Sequence, residues 1–174
     1  FRLWEILKIL LIKDNLYHFY YYIEKPLIEV ISEMEISGCK IDNVKLKDLS
    51  KEFSEKILNI EQEIFQNCGT KFNIGSPKQL GEILFDKLKL PFGKKGKSGN
   101  YQTDVKVLEK LKSDNFNIAS LVLEWRQFSK LISTYCQGLL SRENQKTKRI
   151  HTSFGMPSTL TGRLSSNDPN LQNI

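Results

Sequence analysis

Five lysines occupy a short stretch between Asp86 and Asp104 that contains no acidic residue. They are Lys87, Lys89, Lys94, Lys95 and Lys97. Glycines beside the last three predict a flexible loop, and mobile ammonium groups can follow a phosphate backbone without a fixed geometry. A solvated loop that binds nothing shows the same pattern. Residues 87–97 are called the lysine loop below.

A polar stripe on one predicted helix is a second candidate surface. Arg126, Lys130, Ser133 and Gln137 step by four, three and four residues, so they share one helix face. This face contains no acid, and its arginine, lysine, hydroxyl and amide groups are the types that contact a DNA backbone. An ordinary exposed helix face has the same composition.

The last sixteen residues, TLTGRLSSNDPNLQNI, are dense in hydrogen-bonding groups. We call residues 159–174 the end motif. Arg163 follows a glycine, and Asn170, Gln172 and Asn173 supply amides. An arginine in this setting can reach a minor groove, where all base pairs present acceptors in similar places. A turn-rich loop that packs against further parts of a domain explains the pattern equally well.

Composition, the cysteines and the histidines limit the kinds of partner and of site that the chain can have. The net charge of +6 and the pI of about 9.1 permit an anionic partner without requiring one. The three cysteines are far apart, which favours reduced thiols over disulfides or a metal site. His18 and His151 have no nucleophile or carboxylate near them in sequence, so we interpret both as structural. Charges within residues 3–23 exclude a membrane span there.

Helices must position these groups, because apolar residues recur every three or four positions through most of the chain. The predicted helices cover 1–12, 17–24, 26–37, 43–68, 77–88, 104–111 and 117–140. Capping residues set several boundaries: Gly38 and Gly69 end helices, Ser76 begins one, and Thr103 or Asp104 begins another. Residues 149–154 are the one predicted strand, and we expect a boundary near residue 145.

Two of these helices carry complementary apolar seams. Leu46, Leu49, Phe53, Ile57, Ile60 and Ile64 are spaced almost as a heptad seam, and residues 118–139 carry a second apolar face. We therefore expect an antiparallel pair joined through a small helical tip. The predicted fold class is mainly α: a long antiparallel helical hairpin with a small helical tip, plus a short β/loop edge.

Long sequence strings resemble one family, the family A DNA polymerases. The segment from HTSF to the end motif resembles the first palm motif of that family. FNIGSPKQLGEILFDKLKLP and TDVKVLEKL are similar to its thumb tip, and EWRQFSKLISTY is similar to the second long thumb helix. YYIEKPLIEVISEMEISGCKID resembles the segment that leads into the thumb.

The resemblance implies roles for individual residues. Arg163 would lie in the minor groove near the primer terminus, with Thr159, Asn170 and Gln172 along the same duplex. Arg126 and Lys130, helped by Ser133, would contact the backbone from the thumb. The tip would add contacts from Ser76, Lys78, Gln79, Lys94, Lys95 and Lys97. No catalytic residue and no metal ligand is expected within this chain.

The resemblance also implies a domain organisation and a function. Residues 1–25 would end a proofreading-exonuclease domain and its linker helix, 26–145 would form the thumb, and 146–174 would begin a truncated palm. Because the chain begins at Phe1 and ends inside the motif, we expect a fragment of a cytoplasmic, nucleoid-associated bacterial polymerase.

Such a fragment would bind primer-template duplex DNA and lack the palm aspartates. It would then be inactive alone, would bind no cofactor, and would need the palm and fingers of its Mg²⁺-dependent parent. Two other interpretations stay open at this point: a free-standing helical nucleic-acid-binding module, or a non-catalytic helical-hairpin interaction protein.

Overall fold

The computed structural model describes residues 2–96, 99–156 and 162–174. These residues form two compact units. We call 43–138 the hairpin unit, and 1–42 together with 139–174 the terminal unit. The described elements are mainly helical, with one two-stranded antiparallel sheet, which confirms the predicted fold class.

The hairpin unit consists of two long helices and a helical tip. Its elements are α4 (Asn43–Cys68), α5 (Pro77–Gly81), a π-helical segment (Glu82–Lys87), α6 (Val105–Ser113), α7 (Asn117–Lys130) and a second π-helical segment (Leu131–Gln137). Capping agrees with the sequence: the Ser76 hydroxyl accepts from the Gln79 N–H at 3.5 Å, and the Asp104 carboxylate accepts from the Val107 N–H at 3.0 Å. α4 ends before Gly69, whose φ is +62°.

The two apolar seams pack against each other in antiparallel fashion, as predicted. The Phe53 and Phe128 ring centroids lie 5.4 Å apart, and the Trp125 indole N–H donates to Glu61 at 2.9 Å. A residue later in α4 therefore contacts a residue earlier in α7. A single apolar core joins this pair to the tip. Its fully buried members are Ile64, Leu80, Leu84, Leu108, Leu111, Ala119 and Val122.

The terminal unit contains α1 (Arg2–Lys13), α2 (Tyr17–Phe19), a π-helical segment (Tyr20–Glu24), α3 (Lys25–Ser37), all but the first residue of α8 (Gly138–Ser141), β1 (Ser153–Gly155) and β2 (Ser165–Asn167). The strands are antiparallel, with Phe154 opposite Ser166. The predicted strand over 149–154 is shorter than expected, since Ile150 makes only an isolated bridge with Cys39. The sequence does not predict β2, because SSN carries no alternating apolar pattern.

The helix predicted over 1–12 forms as α1, but no described residue of α1 is buried. Leu3, Ile6, Leu7 and Leu10 are all exposed. Sequence periodicity thus specifies the helix correctly without specifying what covers it.

Gly38 is a point of close approach within the terminal unit. Its φ is +62°, and a Cβ there would lie 2.7 Å from the Ile150 carbonyl oxygen and 2.8 Å from the His151 ring. Gly38 thus serves both as the C-cap of α3 and as the point where residues 149–151 approach that helix.

Candidate nucleic-acid interface

The lysine loop begins at the end of a π-helical segment, and its described residues from Lys94 onward belong to a hydrogen-bonded hairpin. We call its described arms, 94–96 and 99–102, the tip hairpin. The Gln102 N–H donates to the Lys94 carbonyl at 2.9 Å, and the Gly96 N–H donates to the Asn100 carbonyl at 2.8 Å. Lys95 and Tyr101 form an isolated antiparallel β-bridge. Lys94 and Lys95 are exposed. The expected loop is therefore fastened along its described arms.

Lys97 lies outside the described residues. Its predicted phosphate contact therefore stays a prediction from the sequence.

Tyr101 fastens the tip hairpin to the helical tip. A Cβ at buried Gly81 would lie 2.7 Å from the Tyr101 Cβ, so only glycine leaves room for this approach. The Tyr101 ring lies 5.0 Å from the Phe85 ring, and its hydroxyl donates to Asp86 at 2.5 Å. This hydrogen bond raises the pKa of Tyr101. The Lys95 ammonium lies 4.8 Å from the same ring centroid, which is cation–π distance.

Arg126 differs from its predicted environment. Its side chain is half-buried, and its guanidinium donates to the Thr103 carbonyl at 2.6 Å and to the Thr103 hydroxyl at 3.3 Å. Burial lowers the pKa of Arg126, while the nearby Asp104 charge opposes this effect. The first residue of the polar stripe, Arg126, is therefore bound to the tip and is not fully exposed.

The other members of the polar stripe are exposed. Lys130, Ser133 and Gln137 all face solvent. The Ser133 hydroxyl, however, donates to the Ser129 carbonyl at 2.8 Å, so its proton is already bonded to the helix backbone. Ser133 and Gln137 also lie in the π-helical segment, where the ideal α spacing assumed for the stripe does not hold.

The three predicted residues of the tip helix lie together at its N-terminus. Lys78 is exposed on α5. Ser76 is the helix cap, as described above. The Gln79 side-chain oxygen accepts from the Asn73 N–H at 2.7 Å, so this amide closes the turn that precedes the helix.

Within the end motif, Arg163 is exposed and its neighbours are held by local hydrogen bonds. The Gln172 amide donates to the Leu164 carbonyl at 2.7 Å, and the Asn170 side chain accepts from the Gln172 N–H at 2.9 Å. Gln172 therefore braces the segment that carries Arg163, and Asn170 holds the turn that contains Gln172. Thr159 lies outside the described residues.

A hydroxyl network that the sequence did not reveal lies beneath this segment. Thr152 and Ser166 are both buried, and their hydroxyl oxygens are 2.8 Å apart. The Thr152 hydroxyl is also 2.8 Å from each of the Asn167 and Pro169 carbonyls, and the Leu171 N–H donates to Ser166 at 3.0 Å. Hydroxyl-rich strings are usually exposed, so composition gave no signal for this buried cluster.

His151 has a structural role, in agreement with the sequence interpretation. Its Nδ1 lies 2.8 Å from the Glu35 carbonyl and its Nε2 lies 2.7 Å from the Thr147 hydroxyl. The Glu35 carboxylate accepts from the Phe154 N–H at 2.7 Å and so fastens β1 to α3. Neither ring nitrogen is left for acid–base chemistry in this arrangement.

The described parts of the chain show neither a cluster of metal-ligating side chains nor a membrane-spanning helix. Residues 2–96, 99–156 and 162–174 contain no group of three or more His, Cys, Asp or Glu side chains arranged to hold a metal ion. No helix in those ranges combines the length and apolar character that crossing a membrane requires.

Comparison with known proteins gives a consistent set of similarities. Residues 43–174 match the model of DNA polymerase family A. The chain is 50% identical over 173 residues to DNA polymerase I of Caldicellulosiruptor bescii, covering 99% of this chain and 20% of that protein. It is 47% identical over 152 residues to DNA polymerase I of Bacillus subtilis, covering 87% of this chain and 17% of that protein.

A solved structure with the same fold is the POL domain of Pol1 from M. smegmatis, in complex with DNA primer-template and dNTP. The TM-score is 0.84 at 35% sequence identity, and the match covers 97% of this chain and 29% of that one. The chain thus spans about a fifth of the length of the curated relatives it matches.

Proposed function

The chain belongs to DNA polymerase family A, and we propose that it holds primer-template duplex DNA as part of a template-directed DNA polymerase. The observation that carries this proposal is the similarity to a polymerase domain whose structure contains a DNA primer-template. The exposed ammonium groups of Lys78, Lys94, Lys95 and Lys130 supply the charge that contacts to a phosphate backbone require.

The same proposal includes the division of the chain. Residues 26–145 act as the thumb, 146–174 as the beginning of a palm, and 1–25 as the end of a proofreading domain and its linker. We call the longer polymerase the parent. Its palm and fingers are partners of this chain, and its place in the cell is the bacterial nucleoid.

Nucleotide transfer in this family uses divalent metal ions, which activate the attacking oxygen and stabilise the leaving group. The resemblance to this family assigns Mg²⁺ and its aspartate ligands to the palm of the parent, and the role of this chain is to hold and orient the duplex.

Arg163 has the most specific role in this proposal. Its guanidinium donates in the minor groove to acceptors that all base pairs share, so it checks the shape of the primer end without reading its sequence. Asn170 and Gln172 act along the same duplex, in part by bracing the segment that carries Arg163. Thr159 is assigned to this surface from the sequence alone.

Duplex binding and primer extension by the purified 174-residue chain test the proposal directly. Fluorescence anisotropy should give equal affinities for two labelled primer-templates of unrelated sequence, because backbone contacts carry no sequence information. Extension should be absent with or without Mg²⁺. Binding that is absent even at low salt would instead favour a helical-hairpin interaction protein. Metal-dependent extension by this chain would contradict its assignment as a non-catalytic part.

The role of Arg163 is tested in the full parent polymerase. Arg163→Ala should slow nucleotide addition far more than it weakens duplex affinity, because a displaced primer end misses its attack geometry. A variant that extends primers at the normal rate would overturn this role.

A further inference from the structure

We propose that Arg126 acts in DNA binding as a positioning residue, which holds Thr103 and through it the tip hairpin, and not as a phosphate contact. This inference rests on the proposed function, since it concerns how the chain binds a duplex. It reverses the role that sequence resemblance gives to Arg126.

The contacts of Arg126 form a short path to the lysines. Two guanidinium nitrogens bind one residue, Thr103, at 2.6 and 3.3 Å. Thr103 is only 5% exposed, so its carbonyl and hydroxyl depend on partners within the protein. The preceding residue, Gln102, donates its N–H to the Lys94 carbonyl at 2.9 Å. Arg126 is therefore connected to Lys94 by its hydrogen bonds to Thr103, the peptide bond between Gln102 and Thr103, and the hydrogen bond from Gln102 to Lys94.

The fork geometry of the guanidinium explains why an arginine suits this task. Its donors diverge in a plane, so it can bind a carbonyl and a hydroxyl of one residue at the same time. A lysine carries the same charge, but its donors share one nitrogen, so it lacks the two diverging nitrogens that bind Thr103 here. Lys130, four residues further along α7, is exposed and is the direct candidate for a phosphate contact.

The second fastening of the hairpin, Tyr101, acts at other residues. Tyr101 holds the hairpin at Gly81, Phe85 and Asp86, whereas Arg126 holds Thr103. With both contacts in place, the backbone that carries the two exposed lysines is held at two points. Less conformational entropy is then lost when the hairpin binds DNA.

Amide hydrogen exchange in the free chain tests the fastening without any DNA. Arg126→Lys should accelerate exchange of the Gln102 and Gly96 amides by about tenfold or more, because the substitution removes hydrogen bonds to a charged group. Thr103→Val keeps the arginine and removes only the hydroxyl, so it should act in the same direction by a smaller factor. Arg142→Lys is the matched control, since Arg142 pairs with exposed Asp168 at 3.0 Å. It should leave both amides unchanged.

Duplex affinity tests the consequence for binding. Arg126→Lys should weaken binding as much as Arg126→Ala, by about fivefold or more at 0.15 M salt if at least one phosphate is no longer neutralised. In a Lys94→Gln, Lys95→Gln background, Arg126→Lys should weaken binding little further, because it acts through those lysines.

Three results would overturn the inference: unchanged amide exchange, normal affinity of Arg126→Lys, or full additivity with the lysine substitutions. A wild-type chain that binds no duplex at all would overturn the proposed function, and with it any role of Arg126 in binding. The exchange measurement would then still decide whether Arg126 fastens the hairpin.

Discussion

Leu84 in the hairpin unit and Ser166 in the terminal unit are both almost completely buried, but their surroundings differ. Leu84 lies in a core of aliphatic and aromatic side chains. Ser166 lies among the Thr152 hydroxyl, the Pro169 carbonyl and the Leu171 N–H. The first environment is stabilised by non-directional burial, and the second depends on the placement of individual hydrogen bonds.

This difference suits the two proposed tasks. A rod that carries phosphate-binding groups needs stiffness along its length, and an apolar core supplies stiffness without setting the orientation of any single surface group. A segment that presents one arginine to a primer end needs a defined backbone path, and hydrogen bonds to successive carbonyls fix that path.

Leu84→Ala should give the largest decrease in stability among the changes considered below. The side chain is fully buried, so the transfer energy and the resulting cavity should cost about 2 to 5 kcal/mol. Urea unfolding followed by circular dichroism measures the change. Leu58→Ala is the matched control, because Leu58 is 56% exposed on α4 and its truncation should cost little. Equal decreases would contradict the position of the core.

Phe53→Ala should cost less than the truncation of a fully buried phenylalanine would. The Phe53 ring packs on Phe128 with centroids 5.4 Å apart, but Phe53 is only half-buried. We expect a decrease of about 1 to 3 kcal/mol in the free energy of unfolding, below the upper range for Phe→Ala in a core. A decrease within experimental error in urea unfolding would mean that the two seams do not pair through these rings.

Thr152→Val should have the smallest effect on stability and the most local one. The substitution keeps the shape of the side chain and removes the hydroxyl that lies 2.8 Å from the Ser166 hydroxyl and from two carbonyls, at a cost of about 1 kcal/mol. Faster amide exchange should appear at Leu171 and Phe154 and should not appear in α4 or α7. Thr134→Val, at an exposed helix position, provides the control. Exchange that rises equally in both units would remove the distinction between them.

Sequence reasoning succeeds where the determinants are local or periodic. The seam from Leu46 to Ile64 and the caps at Ser76 and Asp104 follow from side-chain spacing and from helix ends, and the structure confirms them. The helix predicted over 117–140 is present, but its hydrogen bonding changes to the π-helical pattern over Leu131–Gln137, which no residue pattern distinguishes.

The features that the sequence does not reveal are contacts between residues far apart along the chain. Glu35 binds the Phe154 N–H across 119 positions, and Arg126 binds Thr103 across 23. The sequence identifies Arg126 as a cation on a helix face, but whether it meets a phosphate or a buried carbonyl depends on the packing of the tip. The role of Tyr101 is hidden for the same reason, since its importance comes from Gly81 and Asp86.

The central claim is that this chain holds duplex DNA through phosphate-binding lysines of the tip hairpin. It is tested most directly by the salt dependence of duplex affinity in Lys94→Gln, Lys95→Gln. The control is Lys47→Gln, Lys51→Gln, which changes the net charge equally at two exposed positions of α4. The log–log slope of the tip variant should fall by about 0.9 for each phosphate that is no longer neutralised, about 1.8 in total, and the control should keep the wild-type slope. An unchanged slope in the tip variant, or an equal decrease in both variants, would contradict the claim.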